Sequence, residues 1–405
     1  MLYTKSNALL VAEATLSKVT KVSKPIAGFV LHILELWLGM NCRYVFSNMQ
    51  RWGSRMEKSY RQMFSKLFDW SSFNYELVRQ YAGKEAICAF DPAFVKKSGK
   101  KTYGLGTFWS GTVGKALKGL EVGVLCFVDV AAVTALHALA VQPPSPAAMK
   151  QKGETLIDHY VRVIKSHLKG IKQFTRYLAV DGYFMKKEFI QPLVKDGLEV
   201  ITKMRQDANL KYLYHGPQRH TKGRPRLYDG KVDVKAIDKR RIRRCYQNEE
   251  VQLYSAVLYA VQLKRKVMAA FVYHKGKDRP EIIISTDIGM DGKTLCRYYG
   301  LRFQVEFLIR DAKQYTGLAD CQARSKEKLN THFNIALTAV SLAKAAYWLP
   351  LPKEQRGSFS MADIKMWHMN QLLTDRIFDK LELELNDRKI KQLYNQCLNF
   401  GRLRA

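Results

Sequence analysis

Two apolar runs in this chain end in the same way, and that shared ending narrows the folds open to it. Residues 86–90 (AICAF) stop at Asp91-Pro92, and residues 176–180 (RYLAV) stop at Asp181-Gly182. Short apolar runs of this kind read as buried strands, and the Pro or Gly after each acid turns the chain away. Between them, LEVGVLCFVDV and TALHALAV form a predicted hairpin, followed by an amphipathic helix over Thr155–Ile171. After the second run, MKKEFIQPLVKDG reads as a helix and LEVITKMR as one more strand. Strand, strand, strand, helix, strand, helix, strand predicts an α/β fold with a mixed sheet. Asp is also a common turn residue, so either acid alone fits a plain strand-ending turn. If the first and fourth strands are neighbours, however, Asp91 and Asp181 lie side by side. Asp129, at another strand end, and Glu188, early in the following helix, are weaker candidates for the same neighbourhood.

A third acid lies in residues 296–318, CRYYGLRFQVEFLIRDAKQYTGL. Read as one α-helix with Tyr299 at zero, Arg302 falls near ~300°, Glu306 near ~340° and Lys313 near ~320°. Leu301, Val305, Leu308, Ile309 and Ala312 make an adjacent apolar stripe that would dock the helix on a core. A carboxylate flanked by guanidinium, ammonium and phenol suits a site for a metal ion and phosphates. A solvated face with an Arg302–Glu306 pair at i,i+4 is the plainer alternative.

Charge points the same way. The 405 residues carry 67 Lys and Arg against 36 Asp and Glu, a net charge of +31, with 47% apolar residues. This is a folded chain of several domains whose basic excess calls for a polyanionic partner, and nucleic acid leads. Lys203–Tyr246 holds 14 of the basic residues and four acids, including QRHTKGRPRLYDGK and KRRIRR. That density is the footprint of a phosphate backbone, with Arg224, Arg226, Arg240, Arg241, Arg243 and Arg244 as contacts. Near the N-terminus, Arg43–Trp52 reads as a helix, Gly53 as its break, and Ser54-x-x-Glu57 as a capping box opening SRMEKSYRQMFSKLF. A Gly turn between helices fits a helix-turn-helix or a plain helical hairpin; Arg51, Arg55, Lys58 and Arg61 are the candidate DNA contacts.

Other classes are disfavoured. The longest apolar run, Leu120–Val141, contains Glu121, Asp129 and His137 and reads as two core strands, not a membrane span. No signal-peptide pattern opens the sequence, and a cytoplasmic protein, nucleoid-associated when on DNA, is expected. Seven scattered cysteines give no disulfide framework or zinc spacing, and nine histidines show no H-x-x-x-H pair.

At this point the residues resemble a known family. Tyr299, Arg302, Glu306 and Lys313 match the Y-x2-R-x3-E-x6-K motif of the insertion-sequence-4 DDE transposases, over a resemblance covering roughly residues 40–345. The resemblance implies an RNase H-like mixed-sheet core interrupted by a basic β-rich insertion, with helical N- and C-terminal regions. The expected boundaries are 1–82 helical and DNA-binding, 83–206 first core part, 207–287 insertion, 288–345 catalytic helix, and 346–405 helical. It further implies Asp91, Asp181 and Glu306 as a catalytic, metal-binding triad for two Mg²⁺ ions, with Mn²⁺ able to substitute. Tyr299, Arg302 and Lys313 would contact phosphates near the scissile bond. The partner is double-stranded DNA, the element ends and the target, bound by a homodimer, with no membrane and no small-molecule substrate. A nuclease of the same fold without strand transfer, and a decayed DNA-binding protein, are the alternatives. Members that close a DNA hairpin carry a Trp at the start of the last insertion strand; here that strand reads PEIIISTD, leaving Tyr273, Tyr298 or Trp109 to stack on a base.

Overall fold

The structure is a computed structural model that describes residues 5–111, 113–218 and 225–403. Five helices come first: α1 (Asn7–Leu16), α2 (Lys24–Gly39), α3 (Phe46–Trp52), α4 (Glu57–Met63) and α5 (Trp70–Tyr81). Strands β1 (Ala86–Lys96), β2 (Gly106–Ser110), β3 (Lys115–Asp129) and β4 (Thr134–Val141) follow. Then come α6 (Pro146–Gln151), α7 (Leu156–Ser166), α8 (Leu168–Ile171), β5 (Tyr177–Val180), α9 (Lys187–Lys195) and β6 (Glu199–Met204). A strand-rich stretch supplies β7 (Leu210–Leu213), β8 (Tyr228–Lys231), β9 (Arg243–Gln247), β10 (Val251–Ala260), β11 (Arg265–His274) and β12 (Glu281–Ser285). Helices close the chain: α10 (Gly292–Leu301), α11 (Gln304–Tyr315), α12 (Lys326–Tyr347), α13 (Met361–Lys380) and α14 (Arg388–Asn399). Among the described residues no helix is long and apolar enough to cross a membrane.

The chain divides into two compact units. One comprises Glu85–Asp91 and Lys150–Gln304, and the other Met1–Lys84, Pro92–Met149 and Val305–Ala405. In the first, the opening half of β1 pairs in parallel with β5, and β5 in parallel with β6. β12 then pairs antiparallel with β6, β11 with β12, and β10 with β11. The sheet is therefore mixed, and β5, with parallel neighbours on both sides, is buried at Leu178, Ala179 and Val180, each 0% exposed. β7 and β9 share the far edge of β10. The strand-rich stretch thus continues the same hydrogen-bonded ladder as β5 and β6, because Ile282–Ser285 lie in register with Ile201–Met204.

In the helical unit, β3 pairs with β2 along Lys115–Gly119 and with β4 along Gly123–Asp129. The apolar run of residues 120–141 is thus a pair of core strands, as its interior acids required. Asp129 is 3% exposed and accepts from the backbone N–H of Gly83, Ala131 and Ala132 at 2.6, 2.9 and 2.8 Å, so it closes a turn. Helix α12 is buried along nearly its whole length, and Asn334 ties it to β4 through both the Ala140 N–H and the Ala140 carbonyl.

Two local expectations are corrected. The second N-terminal helix starts at Glu57, with Met56 at its N-cap, so the box from Ser54 does not form. The Gln50 side chain accepts from Glu57 N at 2.7 Å and Arg61 takes the Glu57 carboxylate, removing both partners the box needed. The single helix expected over residues 296–318 is two. Arg302 N and Phe303 N bond three residues back, to Tyr299 O at 3.1 Å and Gly300 O at 3.2 Å, and this tightened turn ends α10 before α11 starts.

Gly317, just past α11, has φ +63, and a Cβ there would fall 2.1 Å from the Tyr44 ring. Tyr44 is 5% exposed and cannot step aside. Gly317→Ala is expected to cost at least ~2 kcal/mol through both the left-handed backbone and the clash. That loss should read as a thermal midpoint lowered by several degrees; an unchanged midpoint would show that the turn tolerates a side chain.

Candidate active site

The two acids come together in the sheet unit. Asp181 follows the end of β5, whereas Asp91 lies inside β1, which runs on through Pro92 to Lys96, so the turn expected at Asp91-Pro92 does not form; Asp91 stands where β1 stops pairing with β5. Phe90 is the register partner of Val180 on parallel neighbouring strands, and the next residue on each is the acid. Strands in register point matching side chains to the same face about 4.8 Å apart, so Asp91 and Asp181 are neighbours on one face. Phe90 and Val180, pointing the other way, are buried at 1% and 0% exposure. Asp181 stays extended (φ −69, ψ 163) and caps a 3₁₀ turn over Gly182–Phe184. Its backbone carbonyl accepts from Thr202 Oγ1 and Phe184 N, both at 3.0 Å, which fixes the strand end while the half-buried side chain faces outward.

Helix α10 faces these acids. Asp291 caps it by accepting from Lys293 N and Thr294 N, each at 3.0 Å. Buried Leu295, Tyr298 and Leu301 seat it, and the Tyr298 hydroxyl donates to Glu85 Oε1 at 2.5 Å while its ring meets Tyr177 edge-on at 5.4 Å. That seating fixes the rotation of the helix, so its next residues face the strand ends. Arg302 Nη1 lies 3.9 Å from Asp91 Oδ2, a long ion pair. The Arg302 guanidinium sits 5.7 Å from the Tyr299 ring centre. Burial pushes the Tyr299 phenol up to about 12; Arg302 opposes this and the nearby Asp181 carboxylate adds to it. Tyr299 is therefore a neutral hydrogen-bond donor at physiological pH, and Arg302 a fixed cation.

Glu306 and Lys313 stand on α11 in the helical unit, in its first and last turns. Seven residues apart, they lie about 20° from each other around the helix, and so share a face. Val305, Leu308, Ile309 and Ala312 are buried on the adjoining face, as the periodicity predicted. Glu306 is half-buried and Lys313 exposed.

Among the described residues no group of three or more His, Cys, Asp or Glu stands together as a ready-made metal cage. The assembled donors are the carboxylates of Asp91 and Asp181, half-buried hard oxygen ligands. Mg²⁺ suits such a set, because it keeps several waters and binds through one or two carboxylates plus substrate phosphates.

The predicted DNA contacts are scattered and unequal. Arg51, Arg55, Lys58 and Arg61 are all exposed around α3 and α4, but Arg61 is paired with Glu57 and lies 4.8 Å over the Phe46 ring. Lys58 and Arg61 join Lys66 and Lys328 in an open basic cleft. Lys66 follows Arg61 by five residues in the same segment, whereas Lys328 could not be grouped with them from the sequence because it belongs to α12, far away in the chain. Arg241 is held by Asp229 at 2.7 Å and Asp238 at 3.3 Å, and Arg226 also pairs with Asp229. Arg240 is exposed, and Arg243 and Arg244 project from β9, whose register partners are Ser255 and Tyr254 on β10. Arg224 lies outside the described residues. Of the aromatics considered for stacking, Tyr298 is committed to Glu85, Tyr273 donates to Val234 O at 3.2 Å, and Trp109 is 65% exposed on β2.

A mixed sheet delivering two acids from adjacent parallel strands, with helices between them and at both ends, defines an RNase H-like core. The chain belongs to the transposase DDE domain family, whose model matches residues 132–342. It is thus a transposase by family, of a class that cleaves DNA with divalent metals. The match takes in Asp181, Tyr299, Arg302, Glu306 and Lys313 and begins after Asp91. No curated protein matches the chain.

Proposed function

We propose that the protein is a transposase of the insertion-sequence-4 group that cleaves at the ends of its element and joins them to target DNA. The observation that carries this reading is the in-register pair Asp91 and Asp181, faced by Arg302 and Tyr299. By the family resemblance Glu306 would supply the third carboxylate, and the three would hold two Mg²⁺ ions. Bound there, the metals would neutralise phosphate charge and make water or a 3′-hydroxyl acidic enough to attack. Arg302 and Lys313 hold non-bridging phosphate oxygens, and the neutral Tyr299 hydroxyl donates to one of them. A homodimer brings two ends together on double-stranded DNA.

The test uses a labelled duplex carrying the inverted repeat that flanks the gene, with Mg²⁺ or Mn²⁺. Metal-dependent end cleavage with joining to a target, lost in Asp181→Asn and Glu306→Gln, is the expected result. Cleavage without joining would make the protein a nuclease; binding without cleavage would make it a relic; cleavage surviving both substitutions would sink the triad.

The arginines make a separate prediction about binding. Removing one phosphate-neutralising cation should flatten the log Kd versus log salt slope by about 0.9. Replacing Arg243 and Arg244 together by Ala should therefore flatten it by roughly 2. Arg241→Ala should leave it nearly unchanged, since Asp229 and Asp238 already neutralise that side chain. Equal slopes for both variants would remove β9 from the DNA surface.

A further inference from the structure

The three carbonyls that follow one another at the end of α11 are each taken by a buried side chain from elsewhere in the helical unit. Tyr315 O accepts from the Tyr44 hydroxyl at 2.8 Å, and Thr316 O from Trp37 Nε1 at 2.9 Å. Gly317 O lies 2.8 Å from His332 Nε2. A carbonyl only accepts, so His332 carries its proton on Nε2. The donors come from α2, the loop after it, and α12, and are 0%, 5% and 1% exposed for Trp37, Tyr44 and His332. They also pack on one another: the Trp37 ring lies 4.8 Å from Tyr44 and 5.3 Å from His332. Lys365 on α13 donates to the Tyr44 oxygen at 2.7 Å and to Trp37 O at 2.8 Å, which turns the Tyr44 proton toward an acceptor such as Tyr315 O. Thr316 Oγ1 donates to Ala336 O at 2.7 Å and adds a second tie to α12.

Helix ends leave carbonyls unsatisfied, and most find water or a Gly turn. Here the turn at Gly317 is present and Leu318 N bonds to Ala312 O at 3.0 Å, yet three more donors converge beyond it. Capping alone does not require this. Fixing three successive carbonyls fixes the position of the helix along its axis and its rotation about it. Since each residue turns the helix by about 100° and advances it about 1.5 Å, that also fixes where Glu306 and Lys313 point.

We propose that Trp37, Tyr44 and His332 are positioning residues that set the axial register of α11, and through it the aim of the Glu306 carboxylate. The proposal rests on the reading of Glu306 as a metal ligand. None of the three touches DNA or metal. Their effect passes through the helix, so their loss should weaken metal binding while DNA affinity holds.

The test measures Mn²⁺ affinity directly, by electron paramagnetic resonance of the free ion, beside the Mg²⁺ concentration for half-maximal cleavage and the duplex Kd. The full-length protein is compared with Tyr44→Phe, His332→Leu, His332→Gln and Glu306→Gln, below the melting temperature of each. Tyr44→Phe keeps the ring and removes the hydroxyl, which donates to Tyr315 O and accepts from Lys365. His332→Gln can donate an amide N–H from about the place of Nε2, whereas His332→Leu cannot. Expected are at least fivefold weaker Mn²⁺ binding and a matching rise in half-saturating Mg²⁺ for Tyr44→Phe and His332→Leu. His332→Gln should stay within about twofold of the parent, with duplex Kd unchanged throughout. A merely structural role would lower the melting temperature and leave metal affinity alone. If Glu306→Gln loses metal while Tyr44→Phe and His332→Leu bind as the parent does, the positioning role is overturned and the triad stands. If Glu306→Gln binds metal like the parent, the triad fails and the positioning role falls with it. Should His332→Leu not fold, Tyr44→Phe decides alone.

Discussion

Asp91→Asn is expected to lower metal-dependent cleavage at least ~10³-fold while duplex affinity stays within about threefold. The substitution conserves shape and removes one negative charge. A carboxylate that ligates a divalent ion contributes several kcal/mol to its site, and about 4 kcal/mol lost from the transition state is a thousandfold in rate. DNA affinity should hold because the charge removed is negative and the groups meeting phosphate are cations. The alternative role for Asp91 is a structural strand residue partnered by Arg302 at 3.9 Å. In that role the amide would cost little activity, so cleavage within tenfold of the parent would end the case for Asp91. The substitution discriminates better than Asp181→Asn, since the family match begins beyond residue 91 and the support for Asp91 is its register with β5.

Acid should unfold the helical unit well before it protonates most carboxylates. His137 and His368 are held down to about 3 and His332 to about 4, in each case first by burial. An unfolded chain binds these protons near pH 6.5, so the stabilisation is complete above 6.5 and is lost as pH falls toward 3 to 4. At pH 5 each site costs roughly 2 kcal/mol, and the three together roughly 6, comparable with the whole stability of a typical domain. Their environments leave no easy place for a proton. His137 is hydrogen-bonded to Asn334 Oδ1 at 3.1 Å, His368 to the Tyr347 hydroxyl at 3.1 Å, and His332 to Gly317 O. Lys365, held down to about 7, and Lys344, held down to about 8, act with the same sign above neutrality, and stability should go on rising toward pH 10.5. Far-ultraviolet circular dichroism followed from pH 8 to 4 should show cooperative loss of helix near pH 5. Full helix at pH 4.5 would mean that these histidines accept protons without unfolding.

The parts of the fold written in short-range pattern were legible. Apolar runs ending in Asp-Pro and Asp-Gly marked the opening half of β1 and all of β5, although β1 runs on past Pro92 to Lys96, and the acidic and polar residues within 120–141 marked β3 and β4 as strands. The spacing of Val305, Leu308, Ile309 and Ala312 gave the buried face of α11. What could not be read depends on partners distant in the chain or on competition for one group. The tight turn at Arg302 looks helical by periodicity, since its residues keep near-helical spacing and only their hydrogen bonds shift. The box at Ser54 was a sound local pattern defeated by a Gln50 side chain from the preceding helix. Trp37 and Tyr44 meet the end of α11 across 279 and 271 residues, and neither has a neighbour in sequence that hints at it.

The unbroken ladder from β5 to β9 amounts to a ruler. From β5 the hydrogen-bonded order runs β6, β12, β11, β10 and then β9, five strand-to-strand steps. At about 4.8 Å per step the exposed arginines of β9 sit roughly 24 Å across the sheet from the strand that bears Asp181. Along B-form DNA that is about seven base pairs. On the proposed reading, the place where DNA is gripped and the place where it is cut are separated by a length that backbone hydrogen bonds hold constant. Footprints of Arg243 and Arg244 should then fall a fixed number of base pairs inside the cleaved end, whatever the intervening sequence.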